Sequence, residues 1–134
     1  MKYTLTILFI FTLSLCNAQD SFTLCEIKGA KIKGMPFEKD TSYLLIAKDA
    51  RYTYLDETTM VFVGSLSSLD SLLSESINLI DTKEHGYSGT IGKNGVLISK
   101  VAGYNHITIL SYVDKGYTNL TKNQLLKLLA VCKK

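Results

Sequence analysis

The chain contains no tryptophan, a single proline (Pro36), two histidines (His85 and His106) and three cysteines (Cys16, Cys25 and Cys132). It has no glycine-rich phosphate loop and no Cys-x-x-Cys pair, so no local motif points to nucleotide chemistry or to a cysteine-based metal or redox centre. The formal net charge of +3 is too small to indicate a nucleic-acid partner. The one basic cluster, Lys28, Lys31 and Lys33 in KGAKIKG, reads as a solvated strand edge that its lysines keep from pairing with other chains. The apolar run Leu5 to Leu15 is shorter than the roughly 20 residues a membrane-spanning helix needs.

That run follows Lys2 and ends in the small or polar residues Cys16, Asn17 and Ala18, the layout of a signal peptide. Cleavage after Ala18 is expected, leaving one domain over residues 19–134. The alternative is lipidation at Cys16: Leu13, Ser14 and Cys16 resemble the bacterial lipobox, but Leu15 stands where that pattern requires Gly, Ala or Ser. The leader as a whole resembles that of a small bacterial exported protein. Its implication is a periplasmic or extracellular protein with no membrane span after cleavage, the lipoprotein anchored through Cys16 being the alternative. Loss of Cys16 leaves Cys25 and Cys132, an even number in an oxidising space, and a disulfide between them is expected. Closing a loop on the order of 100 residues would stabilise the fold by about 4–5 kcal/mol in chain-entropy models. The competing reading is two buried thiols acting as small core side chains.

Strand composition marks FTLCEIK (22 to 28), followed by a loop or irregular edge over 29 to 40, where Gly29, Gly34 and Pro36 interrupt the pattern. Short runs rich in Val, Ile, Tyr and Phe predict strands at 42 to 48, 51 to 55 and 59 to 64. Residues 66 to 80 change period: Leu66, Leu69, Leu73, Ile77 and Ile80 recur at three and four, and serines precede them to cap a helix. Asn94 and Gly95 predict a type I′ hairpin turn between strands 87 to 92 and 95 to 101, with a further strand over 106 to 113. The last helix is specified by a Thr121/Gln124 capping box and a Leu120/Leu125 staple. LLIAKDARY (44 to 52) is similar to VLISKVAGY (96 to 104), which suggests a β-meander followed by a helix, twice. The expected fold is therefore α+β: one antiparallel sheet of about six to seven strands with two helices on one face.

Chemistry is thinly encoded. Asp81 and His85 would share a helix face if the first helix extended so far, but a helix C-terminus followed by glycine accounts for the same residues, so no metal site and no cofactor is expected. Asp56 and Glu57 lie in a turn, where their side chains diverge. His106 alternates with Thr108, Leu110 and Tyr112 on one face of its strand, opposite Ile107, Ile109 and Val113. With Tyr52 and Tyr54 on a second strand, His106, Thr108 and Tyr112 make a candidate binding surface, polar groups among aromatic rings. The expected function is a non-enzymatic module of the cell envelope or exterior that binds a protein, peptide or glycan. The alternative is a small hydrolase-type enzyme using His106 or His85. Exported protein should begin at Gln19 by intact-mass measurement, and a species carrying acyl chains on Cys16 would overturn that expectation.

Overall fold

The computed structural model describes residues 21–132; the expected leader, Cys16 and the Ala18 cleavage site lie outside them. Four antiparallel strands, β1 (Phe22–Ile27), β2 (Ala30–Phe37), β3 (Asp40–Lys48) and β4 (Thr58–Gly64), lead into helix α1 (Leu66–Thr82). Four more, β5 (Ser88–Ile91), β6 (Asn94–Val101), β7 (Tyr104–Leu110) and β8 (Tyr117–Thr121), lead into helix α2 (Lys122–Cys132). Each set forms its own four-stranded meander, ordered β1-β2-β3-β4 and β5-β6-β7-β8. The α+β class and both helices are as expected, but the single sheet of six to seven strands is replaced by two sheets of four.

Three local readings account for that difference. Residues 29 to 40 are not an irregular edge: Gly29 lies in the turn before β2, Pro36 stands one residue from its end, and β2 pairs along its whole length with β3. Pro36 costs the ladder little there, because it lacks only one donor near a strand terminus. Residues 51 to 55 form no strand and belong to the loop 49–57 between β3 and β4, while 117 to 121 form β8 instead. The hairpin turn is also displaced. Asn94 opens β6 opposite Ile91, so Gly92 and Lys93 make the turn, with Gly92 at φ 59°. The turn with positive φ at both central residues is Ala102 and Gly103, between β6 and β7.

The two halves share one plan. Each β3–β4 type connection closes with the same backbone bond, Asp49 N–H to Glu57 O and Ser111 N–H to Gly116 O. Each helix is capped at its first turn, the Ser65 hydroxyl accepting from Ser68 N and the Thr121 hydroxyl from Gln124 N. Counting from either cap, the fourth, seventh and eighth residues are the buried leucines, Leu69, Leu72 and Leu73 in α1 and Leu125, Leu128 and Leu129 in α2. This register pairs β3 with β7 and β2 with β6. It does not follow the likeness of 44 to 52 with 96 to 104, which sets β3 beside β6.

The helices pack on each other and form the layer that covers both sheets, α1 reaching β3, β4, β5 and β7 and α2 reaching β1 and β8. The core between them holds Ile32, Leu45 and Val61 from the first sheet and Ile98, Ile107, Ile109 and Leu120 from the second. Ile107 and Ile109 thus face inward as expected, whereas Val113 lies past the end of β7 and is exposed. Cys25 and Cys132 are free thiols, half-buried where α2 meets β1, so the expected bridge is not formed. They pack as small core side chains; burial, with Asp70 and Cys25 nearby, pushes the Cys132 thiol pKa up. Among the described residues no helix is long and apolar enough to cross a membrane.

β4 has no strand on its outer edge, and the second half caps that edge with side chains. Asn94 Nδ2 donates to both Val61 O (2.8 Å) and Leu110 O (2.9 Å). The Ser111 hydroxyl donates to Met60 O, the Tyr112 hydroxyl to Val63 O, and an Asp114 carboxylate oxygen accepts from Met60 N. Gly116 is required for this approach: a Cβ there would stand 2.3 Å from Thr59 Oγ1. Asn94→Ala should lower unfolding free energy by about 2 kcal/mol, because it orphans one buried and one half-buried carbonyl. In contrast, Ala102→Asn should raise it by about 0.5 kcal/mol, since Asn tolerates the left-handed conformation that strains alanine. Urea denaturation measures both.

Candidate functional site

Because the halves share one plan, their differences locate a site. Counted from the strand start, Met60 and Asn119 are each the third residue, of β4 and β8, and both turn their backbone groups outward; counted back from the helix caps Ser65 and Thr121, Asn119 corresponds instead to Val63. Gly116 O accepts from Ser111 N within the second hairpin, so the backbone groups of 116, 118 and 120 face β7. Tyr117 O accepts from Ala50 N, and Thr121 N donates to Gln124 Oε1 at 2.9 Å, so 117, 119 and 121 face away. On β4 the outward N–H and C=O of Met60 are met by Asp114 and Ser111. Among the described residues nothing meets the N–H or C=O of Asn119.

The first half lacks the capping side chains at the matching places. Ala30 opens β2 where Asn94 opens β6, and a methyl group cannot donate. Ala50 stands where Tyr112 does. Asp49 stands where Ser111 does, but its carboxylate is turned to Arg51, which binds it through Nη2 at 2.6 Å and Nε at 3.0 and 3.1 Å. The Arg51 side-chain hydrogen bond holds the buried Asp49 carboxyl below its ordinary pKa. The loop 49–57 is longer than the loop 111–116 and carries Tyr52 and Tyr54 out into solvent, Tyr54 being 98% exposed.

The result is a cleft of about 690 Å³ beside Thr118 and Asn119 of β8, bounded by the β1–β2 turn and the start of α2. Its floor is apolar, with Ile27, Ala30, Ile46, Ala47 and Ala50. Gln124 closes one wall, donating through Nε2 to Lys28 O at 3.0 Å. The rim carries Lys28, Lys31, Lys48 and Lys127 against Glu26, Asp56 and Glu57. Among the described residues the side-chain ion pairs are Arg51 with Asp49 and Lys122 with Asp81, so none of those four lysines has a carboxylate within 4 Å. The equivalent hollow in the other half, beside Asn94 and Tyr112, is smaller, about 430 Å³.

The residues singled out from sequence are not brought together. His106 and Thr108 lie half-buried on the outer face of β7, His106 Nδ1 3.1 Å from Tyr104 O and the Thr108 hydroxyl donating to Asn119 Oδ1 at 2.6 Å. Tyr112 is past the strand end, fastened to Val63 O. Tyr52 and Tyr54 sit on the loop 49–57 of the other half, Tyr52 beneath the Arg51 guanidinium at 5.3 Å. Helix α1 ends at Thr82, so His85 falls beyond it, and Asp81 pairs with Lys122 at 2.8 Å. Among the described residues no group of three His, Cys, Asp or Glu side chains converges as a metal site would require. The residues sequence reasoning missed are Ala30, Ala50 and Asn119. None carries a motif, and only the comparison of equivalent positions in the fold reveals them.

Comparison with known proteins finds no family model, no curated protein and no solved structure that matches this chain.

The asymmetry between the two edges is also electrostatic. Burial alone would raise the Asp114 carboxyl, but hydrogen bonds from Thr59, Gly116, Met60 and Ser111 outweigh it and bring the pKa from 3.8 down to about 2. A carboxyl lowered on folding stabilises the native state above its unfolded pKa, and that contribution is lost as pH falls from about 4 through 2. Asp114→Asn should therefore be less stable than the parent at pH 6, with the gap in urea midpoint narrowing towards pH 2. A gap independent of pH would show that the charge is not what holds this loop.

Proposed function

We propose that the protein is a non-enzymatic binding module, exported to the periplasm or cell exterior, whose ligand site is the cleft beside β8. The observation that carries this reading is the cleft itself: its volume lies within the roughly 300–1,000 Å³ of small-ligand sites, and it joins an apolar floor to a few polar groups. Export rests on the leader. The binding surface drawn from Tyr52, Tyr54, His106, Thr108 and Tyr112 is less well supported, because Tyr112 is committed to β4 and the two loop tyrosines belong to the other half. A hydrolase would need a nucleophile and a base held by a third group. Neither histidine has such partners: His106 meets a backbone carbonyl, and His85 is exposed past the end of α1.

The cleft should respond to ligand while the tyrosine surface does not. Amide resonances of Ala47, Ala50 and Thr118 should move when labelled protein is screened by NMR against mixtures of short peptides, carboxylic acids and sugars. Ala50→Trp, which fills the cleft from a half-buried loop position, should abolish those shifts and leave the circular dichroism spectrum unchanged. Shifts centred on His106 and Thr108 would move the site to the outer face of the second sheet.

A further inference from the structure

Resting on the cleft as the binding site, we propose that it recognises the carboxyl-terminal residue of a peptide, set as a single antiparallel partner opposite Asn119. The terminal residue's N–H donates to the Asn119 carbonyl, and its carboxylate accepts from the Asn119 N–H. One residue supplies both groups on the same side of an extended chain, which is the pairing a β-edge offers.

Three observations select this occupant. The first is the chain's own precedent on β4, where the outward N–H of Met60, as far from its strand start as Asn119 is from its own, is met by a carboxylate, that of Asp114, and the Met60 carbonyl by a donor, the Ser111 hydroxyl. The second is length. The edge of β8 is already occupied at Tyr117, by Ala50 N, and at Thr121, by Gln124 Oε1. Those two points are about 13 Å apart along an extended strand. One residue pair fits between them, whereas a strand running through would displace both contacts, so a chain end is favoured over an internal segment. The third is charge: Lys28, Lys31, Lys48 and Lys127 outnumber Glu26, Asp56 and Glu57 on the rim and none is paired within 4 Å. A carboxylate has a second oxygen that hydrogen bonding to Asn119 leaves free, and lysines in a partly desolvated cleft compensate its charge. The aliphatic floor, Ile46, Ala47 and Ala50 among it, suits an apolar final side chain.

The test uses acetyl-Ala-Val as the free acid, the same peptide as its amide, and acetate, titrated into the full-length processed protein by calorimetry and by NMR. The free acid should bind at least tenfold more tightly than the amide or acetate and shift the Asn119 amide proton downfield. Asn119→Pro removes the outward N–H together with the acceptor of the Thr108 hydroxyl and should weaken binding by about tenfold, the size expected for one lost hydrogen bond to the ligand. Asn119→Ala keeps the N–H and should leave affinity within about threefold. Equal affinity for acid and amide, or shifts that spare Asn119, would overturn the proposal. If Asn119→Pro does not fold, the acid-to-amide comparison on the parent protein decides alone. Should both peptides fail while another compound still moves Ala47 and Ala50, the peptide-end assignment falls and the cleft stands; should nothing move them, both fall.

Discussion

The structure depends on how one unpaired strand edge is satisfied. β4 ends the first sheet, and its outward N–H and C=O groups would each cost free energy if buried without partners. The second half supplies them one at a time: the Asn94 amide, the Ser111 and Tyr112 hydroxyls, and the Asp114 carboxylate. Side-chain caps, unlike a ninth strand, do not require the two sheets to share a register or a direction. They let the second sheet meet β4 at its turn end, with Gly116 close against Thr59, and so leave two separate sheets under one helical layer. The same contacts fix where the helices lie. α1 can reach strands of both sheets only because those sheets are joined edge to end.

A repeated design invites the same solution twice, and the second edge shows it was not taken. With alanines at 30 and 50, and Asp49 committed to Arg51, the first half has no side chain to offer Asn119. Filling the space with apolar side chains would bury that edge unpaired, which is costlier than leaving it wet. The longer loop 49–57 swings away instead, bonding to β8 through Ala50 N–H and Tyr117 O. The cleft is thus the volume that capping side chains occupy in the other half.

Much of this fold was legible in the sequence because it rests on periodicity and local hydrogen bonding. Both helices, the Thr121/Gln124 box and the inward pair Ile107 and Ile109 follow from spacing alone. What misled was residue chemistry used for tertiary purposes. Asn94 followed by Gly95 has the composition of a type I′ turn, yet Asn94 is retained for the two carbonyls its amide reaches across the domain, and the type I′ geometry falls on Ala102 and Gly103. The run 51 to 55 has strand composition but no partner edge, since β4 is capped and β8 is reached by a single bond. Proline and two glycines argued against β2, yet Gly29 falls in the turn, Pro36 near the strand end, and Gly34, in mid-strand, makes room for the Phe22 ring beside it. The candidate site was not legible at all. It is built from a backbone pair, at Asn119, and from what alanine lacks.

The lysines illustrate why position in the fold decides between readings that composition leaves equal. Lys28, Lys31 and Lys33 looked like protection for an exposed strand edge, but β2 is an interior strand, bordered by β1 and β3. The open stretch at Asn119 lies on the edge of β8, distant in sequence, and it is Lys28 and Lys31, with Lys48 and Lys127, that surround it. An open edge is a hazard when it lies on a flat exposed surface, because another strand can pair along it. Recessed between the β1–β2 turn and α2, and engaged at Tyr117 and Thr121, the edge at Asn119 leaves room for one paired residue and none for a strand. The geometry that makes this edge safe to leave open also limits what could pair with it.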